Sequence, residues 1–238
     1  MVGLRNDLGL YDRHADAWWD AGGSFAGTLH GVNRLRLAHL REELGSDLRG
    51  LVAVDLGCGG GLLAEPMAAM GATVVGIDRS AASITVAREH GAGLAGLRYE
   101  VGDACDPGMP DGCADLVTCA DLLEHVDGWP RVLDAASRLL RPGGRMYVST
   151  LNRTVASRML AVHLAETLRL VPPGTHDPDR FIRPQELAAA AATAGLRLDR
   201  LLGQRLRLIA TIRSWAVRLA PGPSTAIGYG AWLVNGSR

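Results

Sequence analysis

The chain is predicted to fold as a doubly wound α/β domain: a seven-stranded, mostly parallel sheet with helices on both faces and its last strand antiparallel. Three observations predict it. Short runs rich in apolar residues (51–55, 72–78, 96–103 and 113–120) alternate with helical stretches, the pattern of parallel strands joined by crossover helices. The first run passes directly into a glycine cluster, Asp55-Leu56-Gly57-Cys58-Gly59-Gly60-Gly61. Aspartates close three successive strands, at Asp55, Asp78 and Asp103.

Each element follows in turn. The first 48 residues read as a helical cap carrying Trp18 and Trp19, with 33–44 its clearest helix. LVAVD (51–55) is the first strand, and a helix is expected over 61–70, where Pro66 would cost a backbone hydrogen bond. ATVVGID (72–78) is the second strand; Ser80 is placed to cap a helix reaching His90. GLRYEVGD and CADLVTCA supply strands three and four, and a helix spans 130–140. The turn Arg141-Pro142-Gly143-Gly144 then delivers RMYVST (145–150) as the fifth strand. Residues 49–150 thus form a nucleotide-binding core, 151–182 an inserted helical lid, and 183–238 a closing helix with two strands. That helix, 184–194, ends at Gly195; the extended segments are expected near 197–211 and 224–235.

Composition narrows the function. Basic and acidic residues balance at 25 each, so no net field favours nucleic acid, and every basic residue is arginine. The four cysteines lack C-x-x-C spacing, which argues against a zinc knuckle or redox dithiol. No apolar run nears the roughly 18 residues of a membrane span, and the first residues lack the apolar core of a signal peptide. A cytoplasmic location is the expectation.

A glycine loop after a strand lets a ligand approach the backbone, and the next helix offers free N–H groups. Dinucleotides use such loops too. Here the framing Gly57-x-Gly59-x-x-Leu62 fails the dinucleotide fingerprint, and only the shifted framing Gly59-x-Gly61-x-x-Ala64 fits its looser form. Asp55 at the strand end suits the ammonium of a methionine moiety. Asp78 can accept from ribose hydroxyls, and Asp103 with the backbone of Ala104 can face an adenine. The set resembles the class I methyltransferase pattern and implies S-adenosylmethionine as cofactor.

At the end of the fourth strand stands Asp121-Leu122-Leu123-Glu124-His125. A helical turn there would put Asp121, Glu124 and His125 on one face, at i, i+3 and i+4. The group then serves as a general base with orienting carboxylates, or as a site for a hard divalent ion such as magnesium. It also reads as a packed histidine beside solvated acids.

YDRHADAWWD, LHGVNRLRL, VDLGCGGGLLAEPMA, DLLEHV, STLNR and VPPGTHDPDRFIRP, in this order between Tyr11 and Leu187, resemble the ubiquinone-pathway O-methyltransferases. The resemblance implies O-methylation of a small, apolar, catechol- or quinol-like acceptor bearing a prenyl tail. It implies cofactor contacts at Arg36, Gly57, Asp78 and Ala120. It also implies a divalent metal at the E-x-x-E-H motif, whose first place is Asp121 here. Trp18, Trp19 and His176 of the GTHD loop are expected to meet the acceptor. Residues 154–171 are expected either to touch a membrane surface or to cover the acceptor pocket. Rival readings are transfer to sulfur or carbon, a non-catalytic cofactor-binding partner, and an NAD-dependent oxidoreductase.

Overall fold

The computed structural model describes residues 9–20 and 23–236; residues 1–8, which carry the signal-peptide question and the start of the expected cap, lie outside them. A short helix α1 (Gly9–Arg13) and a 3-10 turn (Ala15–Trp19) lead into α2 (Ser24–Leu44). The core then follows as β1 (Val52–Leu56), α3 (Ala64–Ala69), β2 (Thr73–Asp78), α4 (Ala81–His90), β3 (Leu97–Val101), β4 (Ala114–Ala120), α5 (Pro130–Leu139) and β5 (Leu140–Leu151). A helical stretch α6 (155–167), with a π-helical middle at Arg158–Leu164, is followed by α7 (Pro184–Thr193) and β6 (Leu196–Leu202). The chain ends with β7 (Gln204–Leu206), α8 (Leu208–Ser214), β8 (Leu219–Pro221) and β9 (Gly228–Asn235).

Seven strands form one sheet in the order β3-β2-β1-β4-β5-β9-β6. The first five are parallel, and β9 runs antiparallel between β5 and β6. Alternate strand residues feed two cores. Val54, Leu56, Val117 and Val148 pack with Leu133 of α5 and Leu187 of α7. Ala53, Leu116, Tyr147 and Trp232 pack with Leu40 of α2, Met67 of α3 and Ile84 of α4. Helices on both faces are the doubly wound arrangement, and the strand order reverses between β1 and β4, where such sheets hold ligands.

Three elements differ from expectation. The helix after the glycine loop starts at Ala64, so Pro66 falls in its first turn, where its missing N–H had no helical partner to lose. The Arg141–Gly144 turn lies inside β5, whose pairing with β4 shifts register between Ala114 and Leu116. Residues 197–211 are not one strand: β7 pairs with β8 in a separate ribbon, and α8 bridges them. Ser80 caps α4 as expected, its Oγ accepting from Ser83 N at 3.0 Å.

Small residues let this ribbon close onto α2. A side chain at Gly31 would stand 2.1 Å from the Val217 carbonyl oxygen, and one at Gly27 would meet Ala216 at 3.1 Å. Thr28 Oγ1 accepts from Val217 N at 3.1 Å, and Arg218 donates to the Gly27 carbonyl. The ribbon's return strand is thereby held against the first long helix.

Candidate active site

A cavity of about 330 Å³ opens at the carboxyl ends of β1, β2 and β4. Its first wall is the glycine loop. Gly57, Gly59 and Gly61 take φ of 71°, 52° and 89°, a region closed to most side chains. A Cβ at Gly59 would stand 2.5 Å from the Trp18 ring, and one at Gly57 2.8 Å from Leu122. Trp18 therefore lies over the loop, its indole N–H donating to Ser83 Oγ.

Two acids frame the loop. Asp55 is buried, and Thr118 Oγ1 donates to it at 2.6 Å. Burial pushes its carboxyl up to about 7, against the pull of Thr118 and Arg36. Asp78 accepts from Gly59 N and Ser80 N, both at 2.9 Å, so it ties the loop to the start of α4. Burial raises its carboxyl as well. Each oxygen keeps a further lone pair for a ligand hydroxyl. Asp55, Gly57, Gly59, Asp78, Ala120 and Arg36 all line the cavity. Asp103 and Ala104 do not; Asp103 is exposed beyond β3 and accepts from Cys105 N at 2.8 Å.

The second wall departs from the expected helical face. Asp121 adopts φ +50°, and only Leu123–His125 forms a turn, a 3-10 one. Successive side chains of a 3-10 turn point about 120° apart, so Glu124 and His125 diverge. His125 and Asp121 line this cavity, whereas Glu124 lines a second one beside Arg153 and Arg180. Thr150 Oγ1 donates to Glu124 at 2.7 Å, and burial pushes this carboxyl up to about 8. Asp121 is ion-paired with Arg36 and accepts from Ser149 Oγ at 3.1 Å. Among the described residues, no three His, Cys, Asp or Glu are grouped to hold a metal ion. Glu124 thus points into a different space from Asp121 and His125, and the three do not converge on the single cation site expected of them.

His176 reaches the site from the inserted segment. Its ring lies 5.8 Å from that of His125, near-parallel to it. Burial, then the neighbouring ring, lowers His125 to about 3, and burial lowers His176 to about 4. Both rings are therefore neutral near pH 7 and weaker bases than a free imidazole, and the Asp121 carboxylate acts on each to restore basicity. Arg180 straps this segment to the motif, donating to the Glu124 carbonyl at 2.9 Å and to Asp127 at 2.7 Å.

The two tryptophans expected at the acceptor lie in different places. Trp18 lines the cavity at the glycine-loop end. Trp19 lines none of it: the indole stacks on His90 at 3.5 Å between ring centres and donates to the Gly60 carbonyl. Sequence reasoning passed over Tyr147 and His39, which meet at 3.0 Å in the wall. The spacing of Arg36 and His39, i and i+3 on α2, was the available signal. Leu160 and Leu164 of α6, in the stretch expected to meet a membrane or cover the pocket, line the cavity; sequence reasoning passed over Leu208 and Ile212 of α8, which line it too.

A family model described as a methyltransferase domain matches residues 54–148. A ubiquinone biosynthesis O-methyltransferase from Thiobacillus denitrificans is 43% identical over 207 residues, 83% of this chain and 85% of its own. One from Xanthomonas oryzae pv. oryzae is 39% identical over 234 residues, 97% of this chain and 94% of its own. Among solved structures, magnesium protoporphyrin IX methyltransferase from Synechocystis PCC 6803, with bound S-adenosylhomocysteine, superposes with TM-score 0.67 at 20% identity, covering 95% and 96% of the two chains. A methyltransferase from Thermotoga maritima gives 0.65 at 16% identity, covering 95% and 98%.

Proposed function

The chain belongs to the ubiquinone biosynthesis O-methyltransferases and is an S-adenosylmethionine-dependent methyltransferase, and from there we propose that it methylates a hydroxyl of an apolar, prenylated catechol or quinol. One observation carries the reading: the cavity that begins at the glycine loop passes His125 and His176 and ends in a wall of leucine and isoleucine. A polar reacting end and an apolar far end suit an aromatic hydroxyl with a hydrocarbon tail.

Gly57 and Gly59 leave the space that a nucleoside needs, Asp78 receives ribose hydroxyls, and Asp55 receives an ammonium. When bound, the donor supplies an electrophilic methyl group on a sulfonium. The acceptor oxygen forms its bond to that carbon as the carbon–sulfur bond breaks, and the hydroxyl proton passes to the neutral ring of His125. His176 flanks the same proton acceptor. Alignment by the rigid strand ends contributes much of the rate.

The test is calorimetry with S-adenosylhomocysteine and with NAD, each with and without an alkyl catechol, followed by transfer from labelled donor. Binding of S-adenosylhomocysteine and label on the catechol oxygen support the reading. Label on a matching thiol and none on the catechol would overturn it.

We further propose peripheral contact with a lipid surface, extending the expectation for 154–171. Val155, Met159 and Leu164 of α6 are exposed, as are Leu208, Ile209 and Ile212 of α8 and the adjoining Trp215. Arg158, Arg169, Arg205, Arg207 and Arg213 lie on the same segments. Apolar side chains rimmed by arginine suit an interface rather than a span. No helix of the described residues is long and apolar enough to cross a membrane.

A further inference from the structure

We propose that the methionine carboxylate of the donor takes Arg36 from Asp121, and that Asp121, once released, accepts a hydrogen bond from the catechol hydroxyl beside the one that is methylated. Donor binding would thus complete the acceptor site. The inference rests on the donor and acceptor classes proposed above.

The two partners are unequal. Arg36 is fixed: its side chain is only 9% exposed, and its Nε donates separately to Ser149 Oγ at 3.1 Å. Asp121 is 37% exposed and lies in the cavity wall. An exchange of partners would therefore leave the guanidinium in place and move the carboxylate. Ser149 donates to Asp121 but also accepts from Arg36, so it keeps its arginine when the aspartate leaves.

Charge favours exchange over sharing. Arg36 already acts on Asp55, Asp121 and Glu124. The other arginine in the cavity wall, Arg79, acts on Asp78 at the donor's other end. With Nε engaged, the remaining guanidinium N–H groups must serve whichever carboxylates come near. A second carboxylate beside Asp121 and Asp55 would add like-charge repulsion that one guanidinium only partly offsets.

The backbone places Asp121 where donor binding can be felt. Asp121 takes φ +50° between Ala120, at the end of β4, and Leu122, which packs over Gly57. The left-handed residue thus sits between the loop that cradles the donor and the turn that carries His125. A released Asp121 would also act more strongly on His125, whose basicity it already raises. Of the two neighbouring catechol hydroxyls, one would then donate to Asp121 and the other give its proton to His125.

The experiment compares wild type with Asp121→Asn. Asparagine keeps the size of the side chain and tolerates left-handed backbone, and thermal melting verifies folding. Two probes are titrated: S-adenosylhomocysteine, which has the carboxylate, and 5′-methylthioadenosine, which lacks the whole amino-acid moiety. The variant should bind S-adenosylhomocysteine about tenfold more tightly, within the usual range of coupling between sites. It should bind 5′-methylthioadenosine as wild type does. Unchanged or weaker S-adenosylhomocysteine binding, or equal gains for both probes, would overturn the exchange. In the second arm, an alkyl catechol should bind wild type more tightly with S-adenosylhomocysteine than with 5′-methylthioadenosine. Asp121→Asn should erase that difference; its persistence overturns the role given to the released carboxylate. If catechol binds neither complex, the acceptor reading has failed, while the nucleoside arm still decides the exchange.

Discussion

The donor wall of the cavity and the wall opposite it are held by different forces. Around the glycine loop the wall consists of strand ends, and the key groups are hydrogen-bonded to the frame: Asp78 to the loop and to α4, Asp55 to Thr118 of β4. Those strands are buried on both faces, so a side chain at their ends inherits the rigidity of the sheet. The far wall is made by α6, α8 and a two-stranded ribbon, and much of its apolar surface faces outward. It is held mainly by the notch at Gly27 and Gly31 and by a few links such as that from Val217 to Thr28. The difference teaches where change is tolerated: the donor side is fixed by the architecture, and the acceptor side is free to vary around it.

The largest effect should come where the two walls meet. His125→Ala removes the proton acceptor, which stands on the turn after β4 and not in the glycine loop. Turnover should fall about 100- to 10,000-fold, the usual range for a lost general base, while S-adenosylhomocysteine affinity stays within about twofold. Parallel losses in both would show that His125 holds the donor wall together and that the division between walls is misdrawn.

Next in size is a pH effect confined to the donor wall. Asp55, raised to about 7, must ionise to pair with an ammonium. S-adenosylhomocysteine affinity should therefore drop about tenfold per unit as pH falls below 7, and Asp55→Asn should flatten the profile. The stability of the unliganded protein runs the other way. A carboxyl raised in the folded state contributes stability at low pH, below its unfolded value, and loses it as pH rises through about 7. Calorimetric titration and melting across pH 5–8 read the two signs separately.

The same division decides what could be read from sequence. The glycine cluster, Asp55, Asp78 and the Ser80 cap are local signals, because a strand end, a left-handed turn and a helix start depend on neighbours in the chain. The fold and most of the donor wall were legible for that reason. The face expected from Asp121, Glu124 and His125 assumed α-helical spacing. One left-handed residue sent Glu124 elsewhere, and a turn conformation at an aspartate leaves little mark in sequence. Trp19 lies away from the cavity because it stacks on His90 of α4, a tertiary contact that leaves no local mark in the sequence. Leu208, Ile209, Ile212 and Trp215 do recur at helical spacing, but their β-branched members made the stretch resemble a strand.

A moderate effect is expected at the joint of the far wall. Gly31→Ala would place a methyl group against the Val217 carbonyl, and either α2 or the ribbon must shift. The cost should be about 1–3 kcal/mol of stability. Catechol affinity should fall several-fold, and S-adenosylhomocysteine affinity should hold, because the glycine loop lies on a separate part of the frame. Loss of both affinities would mean that α2, which carries Arg36, transmits the shift to the donor.

The smallest effect on the folded enzyme should come from Ile209→Asn. Ile209 is 69% exposed and does not line the cavity, unlike its neighbours Leu208 and Ile212. Replacing an exposed apolar side chain should change stability by no more than about 0.5 kcal/mol and leave both ligand affinities intact. Its work, on the reading above, lies outside the molecule. Partial burial of an isoleucine in an acyl boundary is worth about 1 kcal/mol, so co-sedimentation with vesicles containing anionic lipid should weaken about fivefold. Unaltered vesicle binding would make the outward face of α8 irrelevant to lipid and leave α6 as the remaining candidate. Weakened catechol affinity would instead make Ile209 part of the cavity's working wall, and the boundary between inner and outer surfaces would move by one helical turn.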